Sequence, residues 1–315
     1  MQRQPPGLSG RIRHGGDSVS RFSAAVILGV TALFGMASDG LCNQPIAAVV
    51  SILPQQEILQ WIGGSEVSVT VLIPPGRSPA TFEPSPRLMA SVLDADLLLP
   101  LGLPFERTVT ARIYELEPGL AVCQGSPTVT VQADSSMVEA IHHNHTQGPD
   151  PHFWLDPYLT IEYAQKVCRC LCLARPKACK AFTENLATYT EALEAADRRI
   201  AAQMAPYAGR TLVVFHPAFG HFAQRYGLHQ VAIEHEGKNP TGRHLSHLID
   251  DATTQGVSVI FVQPQFAGSG AKAVAGAVNA DLVELDPLAP DLLANLERIA
   301  TQIAGAFEAH GGITR

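Results

Sequence analysis

A helical stretch at residues 177–204 divides the sequence into two parts. It follows Pro176, contains no Gly or Pro, and carries Ala, Leu, Glu and Arg at helical spacing. At 1.5 Å per residue, a helix of this length would measure roughly 42 Å, which is long for a globular protein. We therefore predict one rigid helix, at 177–205, that links two lobes.

Short runs rich in Val, Ile and Leu occur on both sides of this helix and alternate with longer helical patterns. They lie at 47–53, 67–73 and 97–101 in the first part, and at 211–215, 230–233, 257–262 and 282–285 in the second. This alternation is typical of a parallel sheet covered by helices on both faces. The predicted fold is α/β, with one parallel-sheet lobe at 38–176 and another at 206–315.

The beginning of the chain has the pattern of a secretory signal peptide. Arginines at 11, 13 and 21 precede an apolar stretch at 24–36, and small residues follow it. A membrane-spanning helix needs about 20 apolar residues, so the pattern favours a signal peptide over an anchor. We predict removal of residues 1–37 and a periplasmic mature protein, since the residues before Cys42 disfavour lipid attachment there.

The charge of the chain argues against one class of partner. The sequence has 22 Lys and Arg against 29 Asp and Glu, for a formal net charge of −7. A general nucleic-acid binder needs a surplus of cations to displace phosphate counterions. We therefore expect no nucleic-acid partner.

Six cysteines leave two readings open. Four of them crowd into residues 168–179, within a helical pattern, and the other two are Cys42 and Cys123. In an oxidising compartment they could form disulfides, but they could equally be small buried apolar residues. The spacing does not fix any pairing.

Three residues of metal-ligand type stand at positions where open parallel sheets collect ligands. His216 directly follows the run at 211–215, Asp286 directly follows the run at 282–285, and His152 lies just before a helical pattern. Ligands bind beyond the carboxyl ends of parallel strands. Two imidazoles and a carboxylate that converge there suit a tetrahedral zinc site. A single histidine after a strand is more often structural, so each signal is weak alone.

Longer phrases around these residues strengthen the signal. Together they resemble the periplasmic substrate-binding proteins of zinc and manganese ABC transporters, over about residues 47–307. The phrases are VVSILP at 49–54, GRSPATFEPSP at 76–86, DPHFW at 150–154, FHPAFG at 215–220, IEHEGKNP at 233–240, FVQPQF at 261–266 and LDPL at 285–288. Each phrase is short, but all seven occur in order.

The resemblance implies two lobes bridged by a rigid helix, with a metal in the cleft between them. It implies His152 as the ligand from the first lobe, and His216 and Asp286 as ligands from the second. Manganese-selecting members usually have a carboxylate where this chain has His216, so the histidine favours zinc over manganese. Glu234 or Glu236 could orient a ligand imidazole, and the sequence does not choose between them.

The chain departs from the family pattern at Ala80. The family places a histidine ligand there, and a methyl group cannot bind a metal. The fourth position could be filled by water or by His142, His143 or His145 of a short histidine-rich loop. The change could equally mean that metal binding is weakened or lost. Three ligands with an open position also match the composition of a catalytic zinc site.

The function expected from these residues is metal capture outside the cytoplasm. We predict a monomeric, non-enzymatic substrate-binding protein that takes up zinc and delivers it to an ABC transporter permease. A long bridging helix implies release through small lobe tilts and loop rearrangements. Two alternatives are a metal-independent or adhesin-like relative, favoured by Ala80, and a zinc hydrolase, for which no separate general base stands out.

Overall fold

The computed structural model describes residues 44–117, 119–123, 150–234, 246, 249–250, 252–254, 256–266 and 269–310. The predicted signal peptide at 1–37 lies outside these residues. So do Cys42, Glu236 and the histidine-rich loop with His142, His143 and His145.

The first lobe contains a four-stranded parallel sheet with the order β2-β1-β3-β4. Its strands are β1 (Ile46–Val50), β2 (Val67–Val71), β3 (Leu97–Leu99) and β4 (Ala121–Val122). Its helices are α1 (Leu53–Gly63), α2 (Pro86–Leu93) and α3 (Pro104–Leu116). Three strands were predicted and are confirmed, although the first ends before Leu53, because that residue starts α1. The edge strand β4 was missed.

The second lobe contains another four-stranded parallel sheet, with the order β6-β5-β7-β8. Its strands are β5 (Thr211–Val214), β6 (His229–Ala232), β7 (Val259–Val262) and β8 (Asp281–Glu284). All four predicted runs are confirmed as strands. Since the strands are parallel, the residues that follow β5, β7 and β8 meet at one edge of the sheet, with the β7 residues in the middle.

The three longest helices in the described ranges are α4 (Pro157–Ala174), α5 (Cys179–Met204) and α8 (Leu292–His310), and α5 links the lobes. The predicted linking helix is α5, which starts two residues later than expected because Pro176–Ala178 forms a 3-10 turn. It packs on α1 and α4 of the first lobe and on α8 of the second. None of the helices in the described ranges is long and apolar enough to cross a membrane.

One apolar core runs through α5 from lobe to lobe. Buried side chains along this helix join a single cluster that includes β1 and β3 residues of the first lobe and β5 and β7 residues of the second; they are Phe182, Tyr189, Leu193, Ile200 and Met204. Because α5 belongs to both cores, a wide hinge opening would expose buried apolar surface to water. That exposure costs a free energy of about 25 cal/mol per Å². The bridge therefore resists large lobe separation.

The second lobe also contains the helices α6 (Gly220–Arg225) and α7 (Ser269–Val278). Arg225 of α6 donates to Asp197 of α5 at 2.5 Å and lies 3.7 Å from Asp156, the N-cap residue of α4. Its guanidinium also sits 4.0 Å from the ring centre of Tyr158. Arg225 thus fixes α6, which follows the His216 loop, against the first lobe.

The five cysteines in the described part of the chain form two bridges and leave one thiol. Cys123, just after β4, is bonded to Cys170 of α4, and Cys172 is bonded to Cys179 at the start of α5. Cys168 is free and buried. The bridges tie the edge of the first sheet to α4, and α4 to the bridging helix.

Opening the Cys123–Cys170 bridge should lower the free energy of unfolding more than opening Cys172–Cys179. A disulfide restricts the unfolded chain, and its effect grows with the logarithm of the closed loop. The sequence separations are 47 and 7 residues, so the longer loop should contribute about 1.5 kcal/mol more. Urea unfolding of the two Cys→Ser double variants measures this difference. A larger loss from the short loop would contradict the prediction.

Candidate metal centre

The two predicted histidine ligands are brought together from different lobes. His216 lies one residue after Phe215 at the carboxyl end of β5, and His152 precedes the 3-10 turn Phe153–Leu155 that leads into α4. The centres of their rings are 5.4 Å apart, with the ring planes at 79°. Both side chains are about 15% exposed (15% for His152 and 16% for His216), so a small ion can reach them while bulk water is largely kept away.

A carboxylate orients His152. The Nδ1 of His152 donates to Asp150 Oδ1 at 2.6 Å, and its backbone N–H donates to the same oxygen at 2.9 Å. Burial raises the pKa of Asp150, but the His152 and His221 rings outweigh it, and the net pKa is lowered. Asp150 is therefore an anion that fixes the hydrogen of His152 on Nδ1.

His216 has the same arrangement with a different carboxylate. Its Nδ1 donates to Oε1 of Glu234, a side chain that is only 1% exposed. Burial lowers the pKa of His216, and the hydrogen bond to Glu234 offsets this only in part. The ring is thus neutral at neutral pH. Of the two residues the sequence left open for this role, Glu234 makes the contact, and Glu236 lies outside the described residues.

Both imidazoles consequently keep Nε2 free for a metal. Nδ1 carries the hydrogen in each ring, so the lone pair that a metal requires is on Nε2. Metal-binding histidines usually donate their other nitrogen to a carboxylate or a carbonyl, which fixes the ring and strengthens it as a ligand. The pair is therefore arranged as ligands are arranged in known metal sites.

His221 supports this pair from α6. Its side chain is buried, with 2% exposure, so it is not a surface residue. Its Nε2 donates to the backbone carbonyl of Asp150 at 3.0 Å. His221 thereby connects α6, which follows His216, with the segment that carries His152.

The third predicted ligand, Asp286, is held by hydrogen bonds of its own. Its Oδ1 accepts from Gln265 Nε2 at 2.8 Å and from the backbone N–H of Leu288 at 2.9 Å. Among the described residues, no three His, Cys, Asp or Glu side chains are close enough together to hold a metal ion. The structure brings the rings of His152 and His216 together. The convergence of His152, His216 and Asp286 on one ion stays a prediction.

Sequence reasoning missed three residues that support these side chains. They are Asp150, which accepts from His152, Gln265, which donates to Asp286, and Gln263. The side chain of Gln263 accepts from the backbone N–H of His216 and donates to its backbone carbonyl, both at 3.0 Å. All three lie inside the phrases DPHFW and FVQPQF. For Asp150, its place two residues before His152 was the available signal, whereas the phrase FVQPQF contains no residue of metal-ligand type. Ala80 is part of the 3-10 turn Pro79–Thr81.

Comparison with known families places the chain among metal-uptake proteins. The family model described as "ZnuA: Zinc-uptake complex component A periplasmic" matches residues 48–306. A solved structure, described as the crystal structure of ZnuA, is 31% identical with a TM-score of 0.74, covering 83% of this chain and 98% of that one.

Curated relatives include binders of two metals. The zinc-binding protein AdcA of Streptococcus pyogenes serotype M3 is 26% identical over 268 residues, or 80% of this chain and 52% of AdcA. The manganese-binding lipoprotein MntA of Halalkalibacterium halodurans is 27% identical over 235 residues, or 73% of each chain. The chain thus spans about half the length of AdcA.

Proposed function

The chain belongs to the periplasmic zinc-uptake complex component A family, and from this we propose that it captures zinc outside the cytoplasm and delivers it to an ABC transporter permease. The family consists of uptake components rather than enzymes, so the zinc hydrolase alternative is set aside. We further propose that it acts as a monomer. We also propose that residues 1–37 are a signal peptide and that the lobes comprise residues 38–176 and 206–315, joined by the helix at 177–205.

The observation that carries the proposal is the pair of imidazoles that meets between the lobes. His152 precedes the bridging helix in the sequence and His216 follows it. The Nδ1 of each ring contacts a carboxylate that is buried or half-buried. A pair of histidines that only stabilised the fold would not need a carboxylate on Nδ1 of both rings, an arrangement that leaves both Nε2 lone pairs for a metal. Asp286 is proposed as the third ligand, because it follows β8, a parallel strand of the same sheet as β5.

The ligand types favour zinc as the cargo. Imidazole suits a borderline-soft ion, whereas manganese favours carboxylate, carbonyl and water ligands. Two of the three proposed ligands are imidazoles. Relatives that bind each metal exist, so the choice between the ions depends on this donor set and not on the fold.

Release is proposed to occur by small movements. Trp154 Nε1 donates to the carbonyl of Pro287 at 2.7 Å, which joins the segment of His152 to that of Asp286 across the cleft. Glu57 of α1 accepts from the N–H of Leu293 at the start of α8 at 3.2 Å. Small lobe tilts that break such contacts would alter the ligand spacing while the shared apolar core stays intact.

The test is a zinc titration of the mature protein, freed of metal by a chelator and followed by isothermal calorimetry. We expect one zinc equivalent to bind, and zinc to bind more tightly than manganese. Elemental analysis of the protein purified from the exported fraction should also find one zinc per chain. Protein that carries no metal and does not bind zinc on titration would favour the metal-independent alternative based on Ala80.

A further inference from the structure

We propose that Gln265 makes the site selective for zinc over manganese by leaving Asp286 a single free carboxylate oxygen. The inference rests on the proposed function and adds a residue outside the ligand set. It concerns the way Asp286 binds the ion, and therefore which ion the site prefers.

The hydrogen bonds of Asp286 are divided unequally between its two oxygens. Oδ1 accepts from Gln265 Nε2 at 2.8 Å and from the Leu288 N–H at 2.9 Å. A carboxylate oxygen has about two lone-pair sites, so these donors fill Oδ1. Oδ2 is left for the metal, which restricts Asp286 to binding through one oxygen.

The direction of the Gln265 amide follows from its partner. If the amide were turned over, its oxygen would lie 2.8 Å from an anionic oxygen, and two acceptors would face each other. The amide nitrogen must therefore face Asp286. The other end of the amide, Oε1, is buried and has no hydrogen-bond partner among the described residues. An unpaired buried oxygen is unfavourable, so the donation to Asp286 is the polar contact that the Gln265 side chain supplies among the described residues.

Gln265 belongs to a segment that contacts both proposed ligands of the second lobe. The 3-10 turn Pro264–Phe266 follows β7, which lies between β5 and β8 in the sheet. Phe266 stacks on the ring of His216, with centres 4.4 Å apart and planes at 18°. Gln263, just before the turn, holds the backbone of His216 from both sides. One short segment thus sets the position of an imidazole and of a carboxylate.

Binding through one oxygen favours the ion with the lower coordination number. Zinc in proteins is usually four-coordinate and tetrahedral, while manganese prefers an octahedral set of oxygen ligands. A carboxylate that contributes both oxygens raises the coordination number and adds an oxygen ligand. If Gln265 blocks Oδ1, the site cannot readily reach the coordination that manganese prefers.

The experiment compares zinc and manganese affinities of Gln265→Met with those of the wild-type protein by competition titration. Methionine is similar in length and lacks the donor. We expect the ratio of the manganese Kd to the zinc Kd to fall by about tenfold, within the range of changes to groups that support metal ligands. In an Asp286→Asn background, which lacks the anionic carboxylate, the same substitution should leave the ratio unchanged. Gln203→Met is the matched control, because Gln203 is a half-buried residue of α5 that donates to Thr301 of α8 at 3.3 Å, away from the proposed ligands.

The outcomes separate this inference from the proposed function. Wild-type protein that binds neither metal would overturn the proposed function and the inference with it. Wild-type protein that prefers zinc, with an unchanged ratio in both Gln265→Met and Gln265→Leu, would overturn the inference alone. Equal losses of both affinities would also overturn it, because they would indicate that Gln265 only stabilises the fold. The second variant provides the test if the first does not fold.

Discussion

A His216→Ala variant is expected to bind zinc on the order of a thousandfold more weakly than the wild-type protein. Loss of a group that merely supports a metal ligand costs 10- to 100-fold in affinity, and loss of the ligand itself should cost more. With Ala80 in place of the family histidine, the proposed site has three protein ligands. Removing His216 would leave His152 and Asp286, which are too few to compete with water for a zinc ion. Competition with a chromophoric chelator at pH 7.5 measures the change.

Two companion variants show whether the loss comes from the site. Glu234→Gln should weaken binding by about 10- to 100-fold, because the neutral amide cannot fix the hydrogen on His216 Nδ1 as the carboxylate does. His310→Ala is the control, since His310 ends α8 and pairs with Asp281 at 3.3 Å, on the edge strand of the second sheet. The assignment fails if His216→Ala keeps wild-type affinity, or if His310→Ala loses as much.

The fold could be predicted largely from local patterns. The bridging helix and seven of the strands have strong local signals: a long run without Gly or Pro, and short buried apolar runs. The edge strand β4 has two residues, 121 and 122, of which the first is exposed, so it has no periodicity to detect. The start of α5 was displaced because Pro176 begins a separate 3-10 turn. Local sequence fixes the elements, while their ends depend on neighbouring contacts.

The site was only partly predictable, because its supporting contacts are distant in the chain. His216 and Asp286 were predicted as ligands from their positions after strands, and the meeting of His152 with His216 was expected from the family resemblance. By contrast, His221 contacts Asp150 over 71 positions, and Gln265 contacts Asp286 over 21. No spacing rule relates such residues, since the fold itself brings them together. The disulfide pairing was open for the same reason.

The residue at position 80 should control how tightly the proposed site holds zinc. The family resemblance implies a histidine ligand in the phrase that reads Pro79-Ala80-Thr81 in this chain. The backbone there forms a 3-10 turn between β2 and α2, as a defined part of the first lobe. If the turn keeps the position that the family uses, Ala80→His supplies a fourth protein ligand. The substitution would add a third imidazole and complete a tetrahedral nitrogen-rich set.

We therefore expect Ala80→His to tighten zinc binding by about 10- to 100-fold and manganese binding by much less, because imidazole suits zinc better. Competition titrations of both metals measure the two changes.

Ala201→His adds the same side chain at an exposed position of α5 and should leave the affinities unchanged. An unchanged zinc affinity in Ala80→His would mean that another donor already occupies the fourth position. A gain in Ala201→His of similar size would mean that added histidines bind zinc nonspecifically. A gain confined to position 80 would indicate that the alanine leaves the site one ligand short, which suits a carrier that must give up its ion.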